Sequence, residues 1–463
     1  MNKNNLIESF SGIRGVYGRG IDEGLAEKYA RVYSLFLIDK FKKIRVVVGG
    51  DTRKSTKSLQ KVFIEVFLDF GFEVIDVGVA STPVVELGVR EYKAQGGVVI
   101  TASHNEPEYN GWKLLRENGA ILYVKDSENI IRKVSKPLDS GFLGKKGKLI
   151  RKEKDLEKRY INEVLKIIGK KSVKQIRDKK FKLIADPNGG PVIGLLQKLF
   201  KKLNVDIIGV NMKEGVYGRK VIPNSKTLKY LSKLVDAKKA DFGFGLDGDA
   251  DRVEIILPRG AVMSGNEMLA LGVDSVLSSK KRGQKVVVNL PTSHLVHKIA
   301  KYYGARVFEV DVGETNVVVK MEKMGSVVGG EGSCGGLIML PSKCRDGLLS
   351  VVAILALLAR RGTSISEILD NYPQYFEERI EEKGGDKVGG KILKYFQNTG
   401  YNVRRVPGKT GGFKILFDRY NWLFFRESQT EPGLFRIIAN GNNKKIVKKM
   451  IKQGKDIFYK LSK

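Results

Sequence analysis

Cysteine and histidine are almost missing from this sequence: 463 residues carry 2 cysteines and 3 histidines. Cys334 and Cys344 form no CxxC pair, and two thiols cannot staple a chain of this length. The composition therefore predicts a reducing, cytoplasmic setting with no disulfide framework. A Cys/His metal site is disfavoured as well, because only His104, His294 and His297 could complete it. Long apolar runs are also lacking. The longest, Leu348 to Ala359, is interrupted by Ser350 and falls short of the roughly 20 residues that span a bilayer, so it reads as a buried helix. The opening MNKNNLIESF has neither an apolar core nor a cleavage pattern and is not read as a signal peptide. No membrane partner is expected.

Acidic residues are scarce relative to basic ones, 51 Asp and Glu against 83 Lys and Arg, for a formal charge of +32. Nucleic-acid binding, attraction of small anionic substrates and a merely solvated lysine-rich surface compete to explain it. The lysines are dispersed and no aromatic-rich RNA-binding signature accompanies them, which favours the solvated surface, with substrate steering as a secondary effect, over nucleic acid. With 42% hydrophobic and 29% charged residues the chain is not disordered. Its length suits about three domains at roughly 150 residues each, or four smaller ones.

Four units are expected. Residues 1–140 contain strands at Arg45 to Val48, at Glu73 to Val79 and through Val98 to Ile100. A glycine-spaced basic stretch, Gly141 to Glu157, reads as a solvated linker or hairpin. The unit at 141–257 then holds a strand at Lys182 to Ala185, helices at Val192 to Leu203 and near Thr227 to Ala237, and a strand at Asp241 to Leu246. Residues 258–371 repeat that pattern, ending in the apolar helix Arg345 to Arg361. The apolar cores VVVG, LIAD and VVVN, each running through a loop into a helix, suggest three related α/β units with mixed sheets. Residues 372–463 alternate in short segments at Asn402 to Val406, Phe413 to Phe417, Trp422 to Arg426 and Leu434 to Ile438, followed by a lysine-rich helix from Lys444. This predicts a smaller α+β domain.

Two loops carry chemistry-bearing residues. Thr101 to Lys113, TASHNEPEYNGWK, follows a strand and holds up Ser103, although a serine after a strand is ordinarily a turn residue. In Leu246 to Arg252, LDGDADR, Asp247, Asp249 and Asp251 alternate with small residues and place three carboxylates in one loop. Magnesium, which takes few carboxylates plus phosphate oxygens, suits this loop. An EF-hand does not, since its sixth position would be Arg252 and its twelfth Pro258. Arg252 would neutralise phosphoryl oxygens that a metal does not reach, or simply balance the loop's charge.

Together with GEGSCGG at Gly330 to Gly336 and RESQTEP at Arg426 to Pro432, these stretches resemble the α-D-phosphohexomutase family, in its order and over nearly the whole chain. The resemblance implies three related α/β domains plus a C-terminal domain, with the active site in a central cleft. It implies interconversion of hexose 1- and 6-phosphates through a phosphoserine at Ser103, whose phosphate completes a Mg2+ site with Asp247, Asp249 and Asp251. Hexose 1,6-bisphosphate is the implied intermediate and activator. Lys113 of NGxK is expected as general acid/base, provided nearby cations ease its deprotonation. His104 either positions the serine or packs the loop, and Arg14 of GIRG contacts the phosphate. Glu331 and Ser333 are the implied sugar contacts, and Arg426, Ser428 and Thr430 the implied contacts of the non-transferring phosphate.

Departures from the family pattern are visible. Gln429 replaces the usual glycine of the phosphate loop, and the arginine expected downstream, Arg436, comes one residue late. Glu314 stands where many bacterial members have histidine, and the sugar loop takes the archaeal form. Glucose or mannose phosphate is the expected substrate and glucosamine phosphate the alternative. A basic nucleic-acid-binding protein without catalysis, and a phosphatase with an aspartyl nucleophile, are the readings of other classes. Whether the chain acts as a monomer or a homo-oligomer stays open.

Overall fold

The computed structural model describes residues 6–136, 146–332, 335–384, 388–428 and 433–462. The chain divides into two compact units, one of Met1–Met263 with Gly336–Gly362 and one of Ser264–Gly335 with Thr363–Lys463.

In the first unit β1 (Ile7–Ser9), β2 (Gly12–Val16), β3 (Arg45–Gly50), β4 (Glu73–Val79), β5 (Gly96–Ile100), β6 (Tyr109–Arg116) and β7 (Lys148–Arg151) form one mixed sheet in the order β1-β2-β6-β5-β3-β4-β7. Val46, Val47 and Val48, like Val98, Val99 and Ile100, are fully enclosed, which is why β3 and β5 read as unbroken apolar runs rather than alternating ones. One face is covered by the helices Glu23–Ile38 and Thr56–Asp69, whose Tyr29, Tyr33, Phe63 and Phe67 pack with Trp112. The stretch expected to be a solvated linker or hairpin instead contributes an edge strand and the start of a helix. Residues 137–145 lie outside the described ones, but β7 pairs parallel with β4, and the helix Glu153–Ile168 starts within the same stretch. Only Ile150 among the four β7 residues is more than marginally covered, so this edge strand carries no apolar signal.

The second sheet of this unit comprises β8 (Lys182–Asp186), β9 (Asp206–Gly209), β10 (Phe242–Leu246) and β11 (Val253–Ile256), ordered β11-β10-β8-β9. Its β10–β11 hairpin is antiparallel, and the turn between the two strands is the three-aspartate loop.

In the second unit β12 (Lys285–Asn289) is flanked in parallel by β13 (Arg306–Val310) and β14 (Val328–Gly330). The chain then rejoins the first unit. There the short β15 (Leu337–Ile338) bridges to Asp346, and the helix Gly347–Arg361 is buried from Gly347 through Ala359, as its apolar run requires. Back in the second unit, β16 (Phe376–Lys383), β17 (Asn402–Arg405), β18 (Phe413–Leu416), β19 (Trp422–Glu427) and β20 (Leu434–Gly441) make an antiparallel sheet ordered β16-β20-β19-β18-β17. The helices Val388–Asn398 and Lys444–Ser462 close over Phe396, Phe425, Phe435 and Phe458. β16 was not anticipated. Its sequence FEERIEEK hides a strand because charged residues dominate an edge position. Among the described residues no helix is long and apolar enough to cross a membrane.

Candidate active site

Ser103 leaves the end of β5 with φ at +51°, a left-handed conformation that a side-chain-bearing residue adopts only when held there. Three contacts hold it. Its N–H donates to Thr101 Oγ1 at 2.8 Å, its carbonyl accepts from Arg53 Nη2 at 3.0 Å, and its hydroxyl donates to Asp247 Oδ2 at 3.0 Å. Arg53 is in turn clamped to Asp51, which also accepts from Thr101 Oγ1 at 2.7 Å and Thr56 Oγ1 at 2.9 Å. Burial opposes the guanidinium's charge, but the Asp51 carboxylate outweighs it and leaves Arg53 above its ordinary pKa. Asp51 and Arg53, which directly follow β3, are not among the residues expected from the sequence. Their signal was an acidic and a basic residue directly after a buried strand.

The three aspartates are fully buried, and their ligand oxygens lie within 4.8 Å of one another. Ala250, between two of them, sits at φ +58°. Lys113, on β6, donates to Asp249 Oδ2 at 2.6 Å, to Asp251 Oδ2 at 2.7 Å and to Thr82 Oγ1 at 3.2 Å, so the groups it meets here are carboxylates and a hydroxyl rather than the cations expected to ease its deprotonation. Thr82 Oγ1 donates to Asp249 Oδ2 at 2.5 Å. Arg252 donates its N–H to Asp247 Oδ1 at 3.1 Å, and its Nε lies 3.7 Å from Asp251 Oδ1. Burial, followed by Asp251 and Asp249, pushes the Asp247 carboxyl up to about 8. Burial acts on Asp251 in the same direction, but Lys113, Arg345 and Arg252 together hold it well below the usual carboxylate range.

The donor set fits a hard divalent cation. Asp249 Oδ1 and Asp251 Oδ1 are buried without a hydrogen-bond partner while their other oxygens are taken. Orphaned buried carboxylate oxygens are costly unless something positive completes them. Asp247, Asp249, Asp251 and the hydroxyl of Ser103 could therefore hold such an ion.

Around the serine the charge is positive. His104, next to Ser103, is held neutral well below its ordinary pKa, first by Arg252, then by burial and Arg14, and its Nδ1 is buried without a partner. Arg14, on β2, is lowered by burial, then by Arg252 and also by Arg345. Thus Ser103, His104, Lys113, Asp247, Asp249, Asp251, Arg252 and Arg14 converge in the first unit. Thr82 and Arg345 join them unforeseen by the sequence reading.

The second unit brings together a different group. Glu331, at the end of β14 and 5% exposed, accepts at Oε1 from Asn289 Nδ2 at 2.9 Å and from the Gly313 N–H at 2.8 Å. Thr292 Oγ1 fixes Asn289 at 2.6 Å. Arg426, on β19, is lowered by burial and then by Arg436, with Glu331 and Asp311 opposing. Arg436 stands directly opposite Arg426 in the β19–β20 register, so its shift by one residue leaves the two guanidinium groups as cross-strand neighbours. Ser428 is buried, and its N–H donates to the Leu434 carbonyl at 2.7 Å. Glu314 begins the helix Glu314–Met324 and is buried. Ser333, Gln429 and Thr430 lie outside the described residues.

Three α/β/α layers, a terminal antiparallel sheet and a serine set against a carboxylate loop define a class, and comparison with known proteins identifies it. Family models for the phosphoglucomutase/phosphomannomutase α/β/α domains I, II and III match residues 7–139, 158–260 and 264–375. The chain belongs to the α-D-phosphohexomutase family. It is 33% identical over 451 residues, 96% of each chain, to a phosphoglucomutase/phosphomannomutase of Thermococcus kodakarensis. To a probable phosphoglucosamine mutase of Thermococcus gammatolerans it is 29% identical over 461 residues, 96% of this chain and 97% of that one. Its fold matches the crystal structure of a phosphoglucomutase/phosphomannomutase family protein from Burkholderia thailandensis, with a TM-score of 0.84 at 21% identity, covering 98% of this chain and 97% of the other.

Proposed function

We propose that this protein is a cytoplasmic phosphohexomutase that interconverts the 1- and 6-phosphates of glucose or mannose, with Ser103 carrying the phosphoryl group. The observation that carries this reading is the buried Ser103 hydroxyl, 3.0 Å from Asp247 of the three-aspartate loop and held in a strained backbone conformation by Arg53. On this reading residues 1–140 carry the phosphoserine, 141–257 the metal loop, 258–371 the sugar loop and 372–463 the phosphate loop.

In the first half-reaction the bond between Ser103 Oγ and phosphorus breaks as one forms between phosphorus and the free hydroxyl oxygen of a hexose phosphate. The hydroxyl proton ends on Ser103 Oγ, passed by Lys113 acting as general base and acid. The resulting 1,6-bisphosphate turns over, and in the second half-reaction Ser103 Oγ takes the other phosphoryl group while its proton returns to the sugar. Magnesium, when held by the triad and the phosphoserine, withdraws charge from the phosphoryl oxygens. Arg252 and Arg14 balance the equatorial oxygens, and His104 stays neutral and packs the serine loop. Glu331 and Ser333 accept or donate to sugar hydroxyls. Arg426, Ser428 and Thr430 take the phosphate that does not move.

Glucosamine phosphate is the second reading, favoured by the relatives named as phosphoglucosamine mutases. A coupled mutase assay with magnesium and a trace of hexose 1,6-bisphosphate, on glucose, mannose and glucosamine 1-phosphates, tests both. Turnover by the wild type that is abolished in Ser103→Ala is the expected outcome. Activity that survives Ser103→Ala but vanishes in Asp247→Ala would move the chemistry to an aspartyl nucleophile. Silence on all three sugars would overturn the mutase reading.

A further inference from the structure

We propose that Arg345 is a positioning residue of the carboxylate loop: it pins Asp251 so that one carboxylate oxygen stays aimed at the cation site. The inference rests on the reading of the triad as a cation site, and it concerns a residue expected only as the start of an apolar helix, which instead begins two residues later at Gly347.

Arg345 is 7% exposed, and its Nη2 lies 3.4 Å from Asp251 Oδ2. Lys113 donates to the same oxygen at 2.7 Å. With both cations on Oδ2, the carboxylate cannot rotate without losing two charge-assisted contacts, and Oδ1 is the atom left without a hydrogen bond. A competitor for Oδ1 stands close by, since Arg252 Nε is 3.7 Å away. Without Arg345 a small rotation would hand Asp251 to Arg252 and remove a ligand from the triad.

The backbone around Arg345 is built into the same loop. The Gly347 N–H donates to the Ala250 carbonyl at 3.1 Å, which is the residue held at φ +58° between Asp249 and Asp251. A Cβ at position 347 would lie 2.6 Å from Leu246 Cδ2 and 3.0 Å from that carbonyl, so only glycine lets the helix N-terminus approach this closely. Asp346, between them, caps the helix Gly347–Arg361 through the Leu349 N–H at 3.0 Å. A 15-residue buried helix thus fixes the base of the arginine, and the arginine fixes the ligand. Partners of this kind, which orient a ligand without touching the metal, commonly matter about 10- to 100-fold in metal affinity.

The test is Mn2+ binding, followed by electron paramagnetic resonance on purified full-length wild type, Arg345→Gln, Arg345→Lys and Asp251→Asn, with thermal unfolding run on each. The Mn2+ dissociation constant is expected to rise about tenfold or more in Arg345→Gln and by an intermediate factor in Arg345→Lys. In the same variants kcat is expected to fall at low metal and recover at high metal, with KM for the sugar phosphate unchanged within about threefold. A folded Arg345→Gln or Arg345→Lys that binds Mn2+ within twofold of wild type overturns the proposal. A raised KM with unaltered Mn2+ affinity overturns it too, because Arg345 would then contact substrate. If wild type itself binds no Mn2+, the triad reading fails first. The metal readout needs no sugar turnover, so it stands apart from the choice of substrate.

Discussion

Asp346 is a buried carboxylate whose cost should be visible as a pH dependence of stability. It caps the helix Gly347–Arg361, a position that ordinarily favours a negative charge, and it accepts from Tyr160 Oη at 2.7 and 2.9 Å. Nonetheless burial pushes its carboxyl up to about 7, with the cap N–H and Tyr160 opposing and Glu163 and Glu86 adding to the rise. Arg90 pairs with Glu86 at 2.8 Å and with Glu163 at 2.7 Å rather than with Asp346. Between about pH 4 and pH 7 the folded chain therefore holds a proton that the unfolded chain has released, and stability falls as pH rises through that window. Taking 1.36 kcal/mol per pKa unit, a rise from 3.8 to about 7 corresponds to about 4 kcal/mol, absent below pH 4 and complete above pH 7. Asparagine caps helices as well as aspartate and does not titrate. The difference in stability between Asp346→Asn and wild type cancels every other titrating group. It should rise by about 2.6 kcal/mol between pH 5 and pH 8, because part of the effect is already present at pH 5, and for a chain of this length that is about 3 °C in Tm if it unfolds as one body. Differential scanning calorimetry at both pH values measures it. Parallel Tm curves for the two proteins would refute the reasoning.

Two further perturbations probe the remaining geometry. Gly347→Ala forces a methyl group to within 2.6 Å of Leu246 Cδ2 and should lower stability by about 1–3 kcal/mol in denaturant titration; an unchanged midpoint would mean the helix shifts freely and does not brace the loop. Glu331→Gln retains an acceptor for the Asn289 amide and the Gly313 N–H but removes the charge that the proposed function assigns to sugar hydroxyls, so on that proposal KM for the sugar phosphate should rise about tenfold at nearly constant Tm. A fall in kcat at constant KM would move Glu331 away from ground-state sugar binding.

What could be read from sequence was what short-range pattern encodes. β4 (Glu73–Val79) falls at the expected boundaries because its buried Val74, Ile75 and Val77 form a short apolar segment ended by turn residues. The helix Gly347–Arg361 was legible from its apolar content alone. β7 and β16 were not, because edge strands are charged and exposed and leave no period to detect. The same distinction governs the site. Ser103 and the aspartates were found because each sits in a compact motif, whereas Thr82 meets Asp249 from 167 residues away and Arg345 meets Asp251 from 94. No local pattern marks such residues, since what makes them matter is the partner the fold supplies. Arg436 is the converse case: one residue out of register in the sequence, it still faces Arg426 because the β19–β20 ladder, not the count of residues, decides its neighbour.

The electrostatics of the first unit favour a ligand that is itself anionic and able to share a cation. Three buried carboxylates crowd one loop, yet His104 beside them is held neutral chiefly by Arg252. Guanidinium groups therefore dominate the surroundings of His104, while the Ser103 hydroxyl next to it meets a carboxylate. Burial and the neighbouring guanidinium groups of Arg252 and Arg345 likewise disfavour the charge on Arg14. Clustered guanidinium groups of this kind are costly in an empty site and become favourable when a dianion arrives, while the orphaned Asp249 Oδ1 and Asp251 Oδ1 ask for the opposite charge a few ångströms away. A sulfate or a carboxylate ligand would answer the arginines and leave the aspartates unanswered; a free cation would do the reverse. A phosphate ester on Ser103 answers both, because its oxygens can face the arginines and still bridge to a metal on the triad. That double demand, more than the serine alone, is why phosphoryl transfer is the chemistry this site supports best.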